Sequence, residues 1–253
     1  MIKRKYIFST FAALMLTSSP YVMAQECFSQ SVSSSEFREA LRLKDKGMRA
    51  RSSAIFEELS HSYENTDARA LSVLEDVMMQ VPGYEIRMEQ FEAAFPHSAY
   101  LPQIRFAHAC NMFDAQDYGN ALSTFEAVKV KQLYKDQRDE FLFKRAYCSL
   151  EQGDYSKALK GFVEVEKRPE TDYTGPSRYA IGCIYYRGGD FAVALEWFEK
   201  ASSDARFKDV SDYFILECRF MLKDYDYKGK GGDVGEATPA QLLVELTAKI
   251  LNM

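Results

Sequence analysis

The sequence predicts an all-α protein built as a stack of antiparallel helix pairs, and three observations carry that prediction. A nine-residue phrase occurs three times, at 117–125, 154–162 and 190–198, opening on Asp-aromatic and running through Ala-Leu to a second aromatic. With Asp224-Tyr225 beginning a fourth copy, the anchor aromatics Tyr118, Tyr155, Phe191 and Tyr225 stand 37, 36 and 34 residues apart. A period of that size belongs to stacked supersecondary units, not to one globular core. Finally, Ala109, Ala146 and Gly182 sit nine positions ahead of the first three anchors, so small residues fall on both helices of each pair.

Each part of the phrase has a physical reason. The aspartate caps free N–H groups and complements the helix dipole. The aromatics, Ala and Leu recur at offsets of 3, 4 and 7, which puts them on one helical face. Small residues let the partner helix approach, and Gln152-Gly153 or Gly188-Gly189 supplies the short connection.

These residues resemble the tetratricopeptide repeat, a helix–turn–helix unit of about 34 residues. The small residue of the first helix, the Gly-Asp-aromatic turn, and the alanine and aromatic of the second helix all match, and Ala201 continues the third copy. The resemblance covers 98–202 fully and extends in part to 227. It implies a right-handed α-solenoid of roughly five pairs plus a C-terminal capping helix. One departure is consistent. Where the family carries a large apolar residue thirteen positions before the anchor, this chain has Arg105, Leu142, Arg178 and Asp212; Phe106, Phe143, Tyr179 and Tyr213 follow one position later.

The N-terminus reads as a signal peptide over 1–24. Lys3, Arg4 and Lys5 form the positive region, Tyr6 to Leu16 the apolar stretch, and Val22-Met23-Ala24 the cleavage site. The apolar run is short for a membrane span, so stable membrane insertion after cleavage is not expected, and a periplasmic or secreted location is. Residues 25–33 read as a flexible linker and 34–97 as two degenerate helix pairs. In that stretch Gly47 and Pro82-Gly83 are the breaks, and Pro96 ends the last helix. The clear pairs are 101–115 with 118–130, 136–152 with 155–167, and 176–187 with 191–202, followed by 210–222, whose second helix is missing. Residues 228–236 form a Gly-rich linker, and 237–253 a C-terminal helix with Leu242, Leu243, Leu246, Ile250 and Leu251. The abrupt loss of pattern leaves a second reading open, in which the chain is the truncated remnant of a longer repeat protein.

Chemistry is scarce. His61, His97 and His108 form no metal spacing, there is no Gly-x-Ser-x-Gly elbow, and the glycines at 229–232 lack phosphate-loop spacing. Carboxylates such as Glu196 and Glu199 read as ordinary surface charges. No enzyme activity, metal or cofactor is expected. Cys110, Cys148, Cys183 and Cys218 keep time with the repeat. Three readings of them stay open: small buried hydrophobes, a disulfide, or a metal site. The net charge of −5, which becomes −8 without Lys3, Arg4 and Lys5, argues against a nucleic-acid partner.

The resemblance places the binding surface on the concave side, lined by the first helices. The rows Phe106, Phe143, Tyr179, Tyr213 and Phe113, Leu150, Tyr186, Phe220 are either an aromatic ladder for a peptide or core filling between pairs. The candidate binding residues are Tyr147, Glu151, Arg187 and Glu217, with Tyr179, Tyr186 and Tyr213 from the aromatic rows. The basic, Asn-rich clamp that some relatives use for a peptide C-terminus is not visible. The expected role is a periplasmic scaffold binding a protein or peptide partner of the cell envelope. A carbohydrate-capturing helical-repeat protein is the alternative.

Overall fold

The computed structural model describes residues 35–62 and 65–224. The signal segment, Ser33, Cys27, the linkers at 25–33 and 228–236, Tyr225 and the C-terminal helix lie outside the described residues. Among those described there are eleven α-helices and no strand. They are α1 (35–45), α2 (Arg49–Ser62), α3 (Thr66–Met79), α4 (Tyr84–Ala94), α5 (Leu101–Asp114), α6 (Tyr118–Glu126), α7 (Arg138–Glu151), α8 (Tyr155–Glu166), α9 (Thr174–Arg187), α10 (Phe191–Ala201) and α11 (Lys208–Met221). The chain forms two compact units divided between Ile104 and Arg105.

In the first unit α2 packs on α3 and α3 on α4, while Phe37 of α1 meets Phe56 edge-on at 5.5 Å. The core here is partly ionic, which corrects the reading of carboxylates as surface charges. Glu75 and Asp76 of α3 are 0% and 4% exposed. Because α3 is covered by both neighbouring helices, its polar side chains need partners from them. Arg49 of α2 donates to Glu75 at 2.8 Å, and Ser53 Oγ donates to Asp76 at 2.9 Å. Arg87 of α4 bridges Asp76 and Glu57, and Ser72 donates to Glu57 at 2.7 Å. Burial works against the Glu57 charge, but the Ser72 and His61 hydrogen bonds and the Arg87 guanidinium outweigh it and hold this carboxyl below its ordinary value.

The second unit is the clear repeat. Asp117, Asp154 and Asp190 each cap the helix that follows, accepting from Asn120 N, Lys157 N and Val193 N at 3.4, 3.0 and 3.3 Å. The turn before each cap is the same in all four copies. Asp117, Asp154, Asp190 and Asp224 donate their N–H to Met112, Ser149, Tyr185 and Arg219, with N···O between 2.9 and 3.0 Å. The preceding N–H of Gln116, Gly153, Gly189 or Lys223 bonds the residue three back. This is a helix stop with a left-handed residue at its centre, and all four central residues have φ between 60° and 79°.

Within pairs the second helices present Ala121, Phe125, Ala158, Phe162, Ala194 and Phe198, all 0% exposed. They meet the small residues of the first helices at short range. A Cβ on Gly161 of α8 would lie 2.7 Å from Ala146 Cβ, and one on Gly182 of α9 would lie 2.7 Å from the Phe198 ring. Successive pairs share a core as well, since α8 packs on α9 and α10 on α11. Helix ends differ from expectation at one place. α6 stops at Glu126 and α7 begins at Arg138, because 130–132 and 135–137 form 3₁₀ turns that bring Leu133 into the core, 2% exposed.

Candidate functional site: a groove on the first helices

The row of rings one position past the family's large apolar site fills space between pairs. Phe106 lies 6.2 Å from Phe125 and 6.1 Å from Phe141. Phe143 sits between Phe162 and Tyr173, at 5.7 and 5.5 Å. Tyr179 belongs to the same class, packed on Phe198, Phe207 and Phe214 at 5.8, 5.4 and 6.1 Å. Burial, and then the neighbouring Cys183 thiol, push its pKa up. At the position before the row, Leu142 keeps a buried apolar side chain, whereas Arg178 bridges Glu166 at 2.9 Å and Glu170 at 3.2 Å and Asp212 pairs with Lys208 at 2.5 Å.

Beyond those rings a groove of about 610 Å³ opens between α7, α9 and α11. Leu150, Ile184 and Phe214 give it an apolar floor, Cys183 and Tyr186 half-line it, and Glu151, Tyr155 and Arg187 form the rim. Seven candidate residues were read from sequence, and three of them, Glu151, Tyr186 and Arg187, line this groove. Two more are tied to it. Tyr147 stands one turn before Glu151, and its phenol is pushed up to about 12 by burial and by the Glu151 charge. Glu217 stands near Tyr186, whose phenol is raised by burial and then by the neighbouring Glu217 carboxylate. Tyr213 stands edge-on to Phe214 at 5.3 Å, outside the lining. Tyr179 is packed among the core rings described above.

Sequence reasoning left Leu150 open between ladder and core, and missed Ile184, Phe214, Tyr155 and Cys183 as lining residues. Phe214 follows Tyr213 directly, so counting by period selected its neighbour. Tyr155 was assigned wholly to the helix start, yet it is 39% exposed. Its ring lies under the Arg187 guanidinium at 5.7 Å, and its hydroxyl accepts from Arg187 at 3.0 Å.

Burial raises the Cys183 thiol against the opposing bond from Tyr179, so it stays protonated near neutral pH. Elsewhere in the repeat burial takes Cys110, Cys148 and Cys218 to about 12. These four cysteines are free thiols. Among the described residues no group of three or more His, Cys, Asp and Glu could hold a metal ion, and no helix is long and apolar enough to cross a membrane.

No protein-family model matches the chain, and neither does any curated protein sequence. Solved structures do. A mutant form of MamA aligns over 69% of this chain and 98% of its own, with TM-score 0.54 and 16% identity. PilW, described as a widely conserved type IV pilus biogenesis factor, aligns over 87% and 93%, with TM-score 0.53 and 14% identity. The apo form of RapI aligns over 87% and 72%, with TM-score 0.55 and 16% identity. All three contain tetratricopeptide repeats. The fold is a tetratricopeptide-like helical repeat. At these identities the likeness speaks for the fold alone.

Proposed function

We propose that this chain is a periplasmic or secreted scaffold that holds a segment of a partner protein of the cell envelope in the groove between α7, α9 and α11. The observation that carries the reading is the groove's make-up. An apolar floor of Leu150, Ile184 and Phe214 lies inside a polar rim, and protein-binding surfaces combine an apolar centre with a hydrogen-bonding edge in this way. The tetratricopeptide-like fold agrees with it, because such stacks offer extended inner surfaces for recognition. The segment from Lys3 to Ala24 supports export.

A photo-crosslinking amino acid placed at Leu150 or Arg187 in the native cell tests the role. A stoichiometric protein adduct is expected from both positions, and none from Lys160 on the exposed side of α8. Adducts from Lys160 with none from Leu150 or Arg187 would move the binding surface elsewhere. Fractionation with N-terminal sequencing tests the location; the exported chain should begin at Gln25.

A further inference from the structure

Two carboxylates stand at or near the apolar floor without a cation of their own. Glu151 lines the groove, and Glu217 lies one turn beyond Phe214 on α11, close enough to Tyr186 for its charge to raise that phenol; neither is paired in the ion pairs formed among the described residues. Other carboxylates of the same hairpins are neutralised: Glu140 by Lys144 at 3.0 Å, Glu166 by Arg178 at 2.9 Å, and Glu199 by Arg219 at 2.7 Å. A carboxylate offers about four acceptor positions, which a lysine or arginine side chain can use. The groove's one lining cation, Arg187, is held over Tyr155 by ring and hydroxyl contacts. The whole chain carries a net charge of −5, which draws cationic partners toward it.

On the scaffold reading above, we infer that the groove selects a cationic protein segment. One bulky apolar residue of that segment enters between Leu150, Ile184 and Phe214, and lysine or arginine side chains on either side meet Glu151 and Glu217. Arg187 opposes such a segment and sets how much positive charge the rim accepts. Charge complementarity of this kind governs partner choice and encounter rate more than raw affinity.

The test uses the mature chain and three short peptides with blocked ends, labelled for fluorescence anisotropy and sharing a central Phe flanked by alanines. Their outer residues are both Lys, both Gln or both Glu. The lysine peptide is expected to bind tightest and the glutamate peptide weakest. Glu151→Gln and Glu217→Gln should each weaken the lysine peptide by about 1.5- to 5-fold, the range of exposed ion pairs, with little effect on the glutamine peptide. Arg187→Gln should strengthen the lysine peptide, and its advantage should shrink as salt is raised. Glu151 and Arg187 are exposed and Glu217 is half-buried, so none of the three substitutions removes a buried ring. Equal binding of the three peptides, or preference for glutamate, overturns the inference. If that equal binding is still lost in Ile184→Ser, the groove reading survives while the charge rule falls. If no peptide binding responds to Ile184→Ser, the groove reading falls too.

Discussion

Replacing Phe198 by alanine removes the ring on which the third helix pair closes. Phe198 is fully buried, stacked on Phe214 of α11 at 4.9 Å and 12°, and flanked by Tyr179 and Tyr186 of α9 at 5.8 and 6.5 Å. Gly182 presses against it so closely that the α9 backbone forms one wall of its site. Truncation therefore leaves a cavity bounded by three rings and a backbone, surroundings that relax poorly. The expected loss is about 3–5 kcal/mol, a large part of the roughly 5–15 kcal/mol that holds a domain folded. In a stack of nearest-neighbour units the damage is local first. Trp197 is the chain's one tryptophan and lies beside the lesion, so its fluorescence follows α10 while far-ultraviolet circular dichroism follows every helix. In urea the fluorescence midpoint should fall below the dichroism midpoint in Phe198→Ala, and the two should lie closer in the wild type. Should Phe198→Ala fail to fold, Phe198→Leu keeps most of the volume and should show the same ordering with a smaller loss. A change within about 0.5 kcal/mol, the level of surface substitutions, would refute the packing argument.

Gly161→Ala should cost about 1–3 kcal/mol by overpacking against Ala146, whereas Gly119→Ala, whose Cβ would meet only Gln152 Nε2 at 3.8 Å, should be neutral or stabilising; urea midpoints compare them. Gly153→Ala puts a Cβ on a residue at φ 79° and should cost about 1–2 kcal/mol, read the same way. Arg87→Met leaves Asp76 and Glu57 without their bridge and should destabilise the first unit by about 1–3 kcal/mol; hydrogen exchange in α3 should rise while exchange in α8 stays unchanged. Acidification should act on the same helices. The Glu57 carboxyl is held below its ordinary value of 4.5, so its contribution is complete above that pH and disappears as pH falls through the lower folded value. Exchange in α2 and α3 should therefore quicken below about pH 4 before it does in α8, and Glu57→Gln should remove the difference.

The repeating phrase made the second unit legible because it states capping, turn and face together. Its turn was legible only where glycine marks it. Gln116 and Lys223 adopt the same left-handed conformation as Gly153 and Gly189, held by the same pair of backbone bonds, and nothing in a glutamine or lysine announces that. Glu75 and Asp76 escaped notice because a carboxylate in an amphipathic helix reads as solvent-facing until two other helices supply arginines to it. The groove was half legible. Polar residues on the first helices pointed to Glu151, Tyr186 and Arg187, whereas Leu150, Ile184 and Phe214 look in sequence like any core residue. Their partial exposure arises from how three helices diverge, which spacing does not encode.

The groove lining and the core share residues. Tyr186 shows this most directly. Its ring packs edge-on against Phe191 and Phe214 at 5.4 and 5.2 Å, while the residue also lines the groove. A tyrosine is suited to that position because it buries a large apolar body and still satisfies a polar tip. Phenylalanine there would keep the packing and lose the polar tip, and a small polar residue would open the seam between α9 and α11. A segment seated over Leu150, Ile184 and Phe214 would touch side chains from α7, α9 and α11 together. Its binding energy would be expressed partly as tighter association of those helices, by the same mass action through which any ligand of the native state opposes unfolding. The slipped aromatic row follows the same logic: with Arg178 spent on surface ion pairs, Tyr179 takes over the packing, and its neighbours on α9 are left free to face the groove.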